Sequence, residues 1–215
     1  FERVDWVVDQ ALSRELLVVI NVHHYEEIMR NPAKHRERLL ALWSQIGERY
    51  QDQPSDLLFE ILNEPSGAMR ADQWNPILVD ALAVIRETNP ERNVVIGSTS
   101  WNKINTLGQL ELPEDDRHII VTFHYYDPFQ FTHQGAEWVA SSDPWLGTTW
   151  EGGLMEEKAI SKAFDRAARW GEENDRPIYL GEFGAYSKAD IESRVLWTSY
   201  VARQAEERGI SWAYW

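Results

Sequence analysis

Leu16-Leu17-Val18-Val19-Ile20-Asn21-Val22-His23-His24-Tyr25 opens with five apolar residues and then breaks off into amide and imidazole groups. A continuous apolar run rich in β-branched side chains describes a strand buried on both faces, as in a parallel sheet. The polar cluster behind it marks the strand's carboxyl end. Upstream, Val4, Val7, Val8 and Leu12 recur at helical spacing with charged residues between them. The stretch therefore reads as a helix feeding a buried strand.

That unit repeats along the chain. Helix 34–50 leads to strand 57–62, ending in Asn63-Glu64-Pro65. Helix 72–87, closed by Asn89-Pro90, leads to strand 93–97, ending in Ser98-Thr99-Ser100-Trp101. Strand 119–123 ends in His124-Tyr125-Tyr126-Asp127. Helix 154–174 leads to strand 177–180 and Gly181-Glu182-Phe183-Gly184, and helix 188–208, closed by Gly209, leads to the final stretch 210–215. Alternating helices and apolar strands specify a parallel sheet of the α/β class. Polar and aromatic residues follow every strand, which suits a (β/α)8 TIM barrel better than a doubly wound sheet with its single switch point. A full barrel has eight strands and about 250 residues. Residues 1–215 accordingly read as one catalytic barrel domain, incomplete at both ends and lacking the first two strands and the last helix.

Composition narrows the function. Lys and Arg total 21 against 35 Asp and Glu, a net charge of −14 that repels phosphate backbones and argues against a nucleic-acid partner. No apolar run approaches the roughly 20 residues that span a bilayer, so no membrane association is expected. Cysteine is absent, which removes disulfides, thiolate catalysis and Cys-ligated zinc. No Gly-x-Gly-x-x-Gly or Walker loop follows a strand, so no nucleotide cofactor is expected. Trp is abundant, 11 residues against 7 Phe, and indoles make flat platforms for the C–H faces of sugar rings. Trp6, Trp43, Trp170 and Trp197 fall within helices and read as core; Trp150 reads as packed and Trp145 as open to either role.

Two carboxylates stand just past strand ends, Glu64 and Glu182. Retaining glycoside hydrolysis needs such a pair about 5–5.5 Å apart, one protonated to release the leaving sugar and one ionised to attack. By strand alternation Glu60, Leu62 and Glu64 share one face, as do Ile178, Leu180 and Glu182. Asn63 is placed to hold a sugar 2-hydroxyl, although Asn63-Glu64-Pro65 alone could equally be a helix-initiating turn. Glu60, deeper on its strand, reads as a structural ion-pair member. His23, His24, His124 and the carboxylates invite a metal, but no His-x-His or His-Glu-x-x-His is present and no metal is expected. His35, His118 and His133 form no constellation, His133 at most shaping its loop.

Leu58-Phe59-Glu60-Ile61-Leu62-Asn63-Glu64-Pro65 resembles the signature of glycoside hydrolase family 5, the cellulase and mannanase group of clan A. Ile20-Asn21-Val22-His23-His24, Thr122-Phe123-His124-Tyr125-Tyr126, the segment from Thr132 to Trp138, Leu180-Gly181-Glu182-Phe183-Gly184 and Trp215 match in order. The 129–138 segment looks closest to thermophilic bacterial endoglucanases that also cleave β-mannans. The resemblance implies Glu64 as acid/base, Glu182 as nucleophile and Asn63 on the 2-hydroxyl. It further implies His124 near the acid/base and Tyr126 donating to the nucleophile. His23 and His24 would contact the neighbouring sugar, with Trp215, Trp101 and Trp138 as stacking platforms. An arginine from the barrel's second strand, outside these residues, would also face the nucleophile.

The expected protein is thus a monomeric, cofactor-free endo-β-1,4-glucanase acting on cellulose and related β-glucans. A β-mannanase or dual enzyme is the close alternative, and a non-catalytic glycan-binding barrel or inactive fragment the distant one. The partner is a β-glucan or β-mannan polysaccharide, and a substrate too large to import implies secretion.

Overall fold

The computed structural model describes residues 1–215 as two compact units, Phe1–Val121 and Thr122–Trp215. In the first, helix α1 (Glu2–Leu12) leads to strand β1 (Val18–Asn21), α2 (Pro32–Arg49) to β2 (Leu57–Glu60), and α3 (Ala71–Thr88) to β3 (Val94–Gly97). These strands lie parallel in chain order, with Val18 opposite Leu57 and Phe59 opposite Val94. Strand β4 (Ile119–Tyr125) starts at the end of the first unit and runs into the second. There α4 (Leu154–Glu173) leads to β5 (Ile178–Phe183) and α5 (Ile191–Glu206) to β6 (Ser211–Tyr214). β5 and β6 are again parallel, Tyr179 opposite Ser211. This is the α/β order expected, with boundaries shifted by a few residues. No helix is long and apolar enough to cross a membrane.

Local chemistry explains where the long helices start and stop. The Asn31 side chain accepts from the Lys34 N–H ahead of α2, and that of Asp190 from the Ser193 N–H ahead of α5, each satisfying an orphan donor of the first turn. Gly209 follows α5 at φ +66°, where only glycine is unstrained.

The Trp residues on the buried faces of three helices do more than fill space. Trp43 of α2 donates its indole N–H to the Ile61 carbonyl (2.9 Å), and Trp74 of α3 donates to Gly97 (2.9 Å). In the second unit Trp197 of α5 donates to Asp127 (3.1 Å). Each accepting carbonyl lies at or just beyond a strand's carboxyl end, where the ladder no longer supplies a donor. A helix thereby fixes the backbone from which the site residues project.

One expectation needs correction. Trp6 is not core; it lies exposed on α1 with the Arg3 guanidinium 4.6 Å over its ring. On β1, Val18, Ile20 and Asn21 are half-buried beside β2. Trp43 and Trp197 are buried as expected, Trp150 is packed, and Trp145 and Trp170 are half-buried.

At the amino end of β2, Arg92 is buried in a basket of acceptors. Its guanidinium donates to the carbonyls of Leu57 (2.9 Å), Gln53 (2.8 Å), Tyr50 (3.0 Å) and Pro54, and to Asn89 Oδ1 (3.3 Å). Burial acts to lower its pKa, yet guanidinium stays charged at any working pH. Arg92→Met would strand these carbonyls and lower stability by about 3–5 kcal/mol. Chemical denaturation checks this; a loss under about 1 kcal/mol would contradict it.

Candidate active site

Asn63, Glu64, His23, His24 and Trp101 lie in the first unit; His124, Tyr126, Glu182, Trp138 and Trp215 lie in the second. Each unit assembles its own group.

In the first unit the ladder outlasts the strand, since the Asn63 N–H donates to the Val22 carbonyl (3.1 Å). Regular strand geometry, however, ends at Glu60. Glu64 adopts φ +45°, a left-handed conformation that costs a non-glycine residue about 1–2 kcal/mol. Its direction is therefore set by a strained turn and not by the alternation expected from Glu60 and Leu62. Such strain persists only where the surroundings over-determine it, and it clusters at functional sites. The Trp101 N–H donates to the Pro65 carbonyl (3.2 Å), tying this turn to the loop after β3. That loop is itself left-handed at Ser100, Trp101 and Asn102, leaving the Trp101 ring exposed beside the Lys103 ammonium. No helix starts at Pro65, and the next begins at Ala71.

Asn63 is only 8% exposed, and its Oδ1 is buried without a hydrogen bond from the protein. A buried acceptor of this kind is costly unless something donates to it. Nearby, Asn21 Nδ2 donates to Glu60 Oε2 (3.0 Å) and sits 3.3 Å from His23 Nδ1. Glu60 is thus a buried partner of an amide. His23 and His24 lie beyond the end of β1 and meet edge to face at 4.6 Å, His23 half-buried and His24 exposed.

On β4 alternation holds, while β5 shifts register between Leu180 and Phe183. His124 and Tyr126, two residues apart, both reach Glu182: the Tyr126 hydroxyl donates to Oε2 (2.9 Å), and His124 Nδ1 lies 3.3 Å from the same oxygen. Glu182 is 9% exposed. Two glycines make this approach possible. A Cβ on Gly181 would sit 2.4 Å from Thr122 Oγ1 and 3.2 Å from His124 Nε2; one on Gly184 would sit 2.2 Å from the Trp215 carbonyl oxygen. Trp215 follows β6 and hydrogen-bonds the Phe183 carbonyl through its N–H (2.9 Å), leaving its side chain 66% exposed.

The loop after β4 shapes the rest. Thr132 Oγ1 donates to the Tyr126 carbonyl (2.6 Å), and the buried Gln134 side chain donates to Phe131 and Thr148 and accepts from Gly147. His133 stacks on Phe129 (4.0 Å) and meets the Tyr126 ring edge-on (5.0 Å). It therefore packs against the tyrosine that donates to Glu182, a role its position in the loop did not disclose. Glu137, Tyr186 and Lys188 also escaped sequence reasoning. They form one cluster beside Trp138, joined across 49 residues of chain with no local periodicity to reveal it. Glu64, His124 and Glu182 are residue types that can ligate a divalent ion. In the second unit, His124 and Glu182 are turned toward each other.

The family model for cellulase (glycosyl hydrolase family 5) matches residues 1–215. Endoglucanase H of Acetivibrio thermocellus is 40% identical over 215 residues, an alignment covering 100% of this chain and 22% of that protein. Thermotoga maritima Cel5A, solved in complex with cellobiose, is 52% identical with a TM-score of 0.98, over 100% of this chain and 70% of that one. The same protein in complex with mannotriose is 51% identical with a TM-score of 0.97, over 100% and 69%. The chain thus spans about a fifth of the curated relative and about two-thirds of the solved ones.

Proposed function

Because the chain belongs to the cellulase family, glycosyl hydrolase family 5, with the (β/α)8 barrel fold, we propose that it hydrolyses internal β-1,4-glucosidic bonds with retention of configuration. The observation that carries this reading is the Glu182 carboxylate, buried and met on one oxygen by both Tyr126 and His124. A carboxylate so oriented attacks the anomeric carbon along one line. In the first step a Glu182 oxygen forms a bond to that carbon, the glycosidic bond breaks, and Glu64 gives its proton to the departing oxygen. In the second, Glu64 takes a proton from water, the water oxygen bonds to the anomeric carbon, and Glu182 leaves as carboxylate. Asn63, next to Glu64, holds the 2-hydroxyl of the reacting sugar through its side-chain amide. Trp215 and Trp101 offer exposed faces for sugar rings, and His23 and His24, half-buried and exposed, contact the sugar next to the scissile bond.

Mannan cleavage is a second reading, favoured by the mannotriose complex of a protein 51% identical to this chain. Glucose and mannose differ at the 2-hydroxyl, the group assigned to Asn63, so one side chain bears on the choice. The protein acts outside the cell, where its polymeric substrate is.

Reducing-sugar release from soluble β-glucan and from glucomannan, measured side by side on the full-length protein, tests both readings. Release from both makes it a dual endo-glycanase, and release from glucan alone makes it an endoglucanase. No release from either by folded protein would replace hydrolysis with glycan binding. Proton NMR of the first product distinguishes the mechanism, because retention yields the β-anomer first. An initial α-anomer would sink the nucleophile assignment.

A further inference from the structure

Trp138 is 65% exposed, too open to be core, yet its ring is backed by a cluster of contacts. Tyr186, from the loop after β5, meets it edge to face at 4.8 Å, and His133 lies at 6.4 Å. The adjoining Glu137 is held by both oxygens: the Tyr186 hydroxyl donates to Oε2 (2.6 Å), and Lys188 Nζ lies 2.8 Å from Oε1. Lys188 Nζ also donates to the Gly135 carbonyl (2.5 Å), and the Tyr186 N–H donates to the Thr132 carbonyl (2.8 Å). Gly135, at φ +60°, admits this crossing, since a Cβ there would come within 2.9 Å of the Lys188 stem. Lys188 first and Tyr186 second hold the Glu137 carboxyl down at about 2, and Glu137 in turn raises Lys188, so the pair stays charged from mildly acidic to alkaline pH.

Exposed ion pairs contribute little to global stability. A lysine, a tyrosine and two backbone groups converging beside an open indole therefore call for another account. Through His133 and Tyr126 the indole is also two aromatic rings removed from Glu182. That places it beyond the reacting sugar and not under it.

We propose that Glu137, Lys188 and Tyr186 are positioning residues that clamp Trp138 as a stacking platform for a distant ring of a β-1,4-linked hexose chain, setting the preference for long substrates. The proposal rests on the glycanase reading above. The clamp acts before substrate arrives: an indole already immobilised loses less freedom when a sugar stacks on it, which corresponds to roughly a three- to tenfold gain in affinity.

The test uses the full-length protein with cellohexaose and a chromogenic cellobioside. Lys188→Met and Glu137→Gln should each raise KM for cellohexaose about three- to tenfold, with kcat on it changed less than about twofold. Lys188→Arg should restore most of the loss. Tyr186→Phe, which keeps the ring contact, should cost less than Tyr186→Ala. In a Trp138→Ala background Lys188→Met should add nothing further, because the two act through one ring. Equal losses on both substrates accompanied by a lower Tm would make the cluster merely structural and overturn the proposal. So would an undiminished Lys188→Met effect without Trp138. Calorimetric binding of cellohexaose to the same variants separates this from failure of the hydrolase reading: an inactive protein whose affinity still falls with Lys188→Met retains the clamp and loses only the reaction.

Discussion

Replacing Glu182 by Gln should lower kcat on soluble β-glucan by on the order of 10⁴- to 10⁶-fold, the scale seen when a nucleophile is removed from a covalent mechanism. Oligosaccharide affinity should change only a few-fold. The amide keeps the shape of the side chain and can still accept from Tyr126, so the pocket around it has little reason to rearrange. It cannot form the glycosyl ester. Glu182→Gly sharpens the point by opening a hole where the carboxylate stood. Azide entering there bonds to the anomeric carbon from the same side and gives an α-glycosyl azide. Detection of that product would assign the nucleophile directly, whereas a β-glycosyl azide would assign Glu182 to the other role. If turnover and binding fell together in Glu182→Gln, the residue would be holding the fold and not making the bond.

The second large effect concerns Glu64. Glu64→Gln should cost about 10²- to 10⁴-fold on polymer, the usual contribution of a positioned proton donor. The loss should be much smaller in the glycosylation step of a dinitrophenyl cellobioside, whose leaving group departs without a proton. The alkaline limb of the pH–rate profile should flatten in the same variant. Equal losses on both substrates would remove Glu64 from the acid/base role. Its backbone adds a further, separable expectation. At φ +45°, Glu64→Gly relieves about 1–2 kcal/mol of left-handed strain, which offsets the roughly 0.4–1 kcal/mol that glycine costs through the unfolded chain. The glycine variant should thus melt at or slightly above the parent temperature while losing activity. A clear fall in Tm would mean that the carboxyl stabilises the fold.

Legibility in the sequence followed the reach of local geometry. Buried strands announced themselves as apolar runs, and the groups behind them identified the carboxyl ends. On β4 the period of two carried one residue past the strand, so that His124 and Tyr126 both meet the same Glu182 oxygen. On β2 the period failed after Glu60, because left-handed turns leave no mark in an apolar pattern. Glu137 and Lys188 looked like ordinary surface charges. Their pairing depends on two loops being carried to one place by β4 and β5, which no window of sequence contains.

The basket around Arg92 gathers the termination of α2, the approach to β2 and the turn after α3 onto one guanidinium, at the opposite end of β2 from Asn63 and Glu64. One short strand therefore has a structural end, at Leu57, and a chemical end, just beyond Glu60. Heat resistance and turnover can then be varied on separate residues: an engineer could redesign the lower rim for harsher conditions without touching the strained turn that presents the carboxyl. The trade between robustness and activity common in enzymes would here be loosened by distance along a single β-strand.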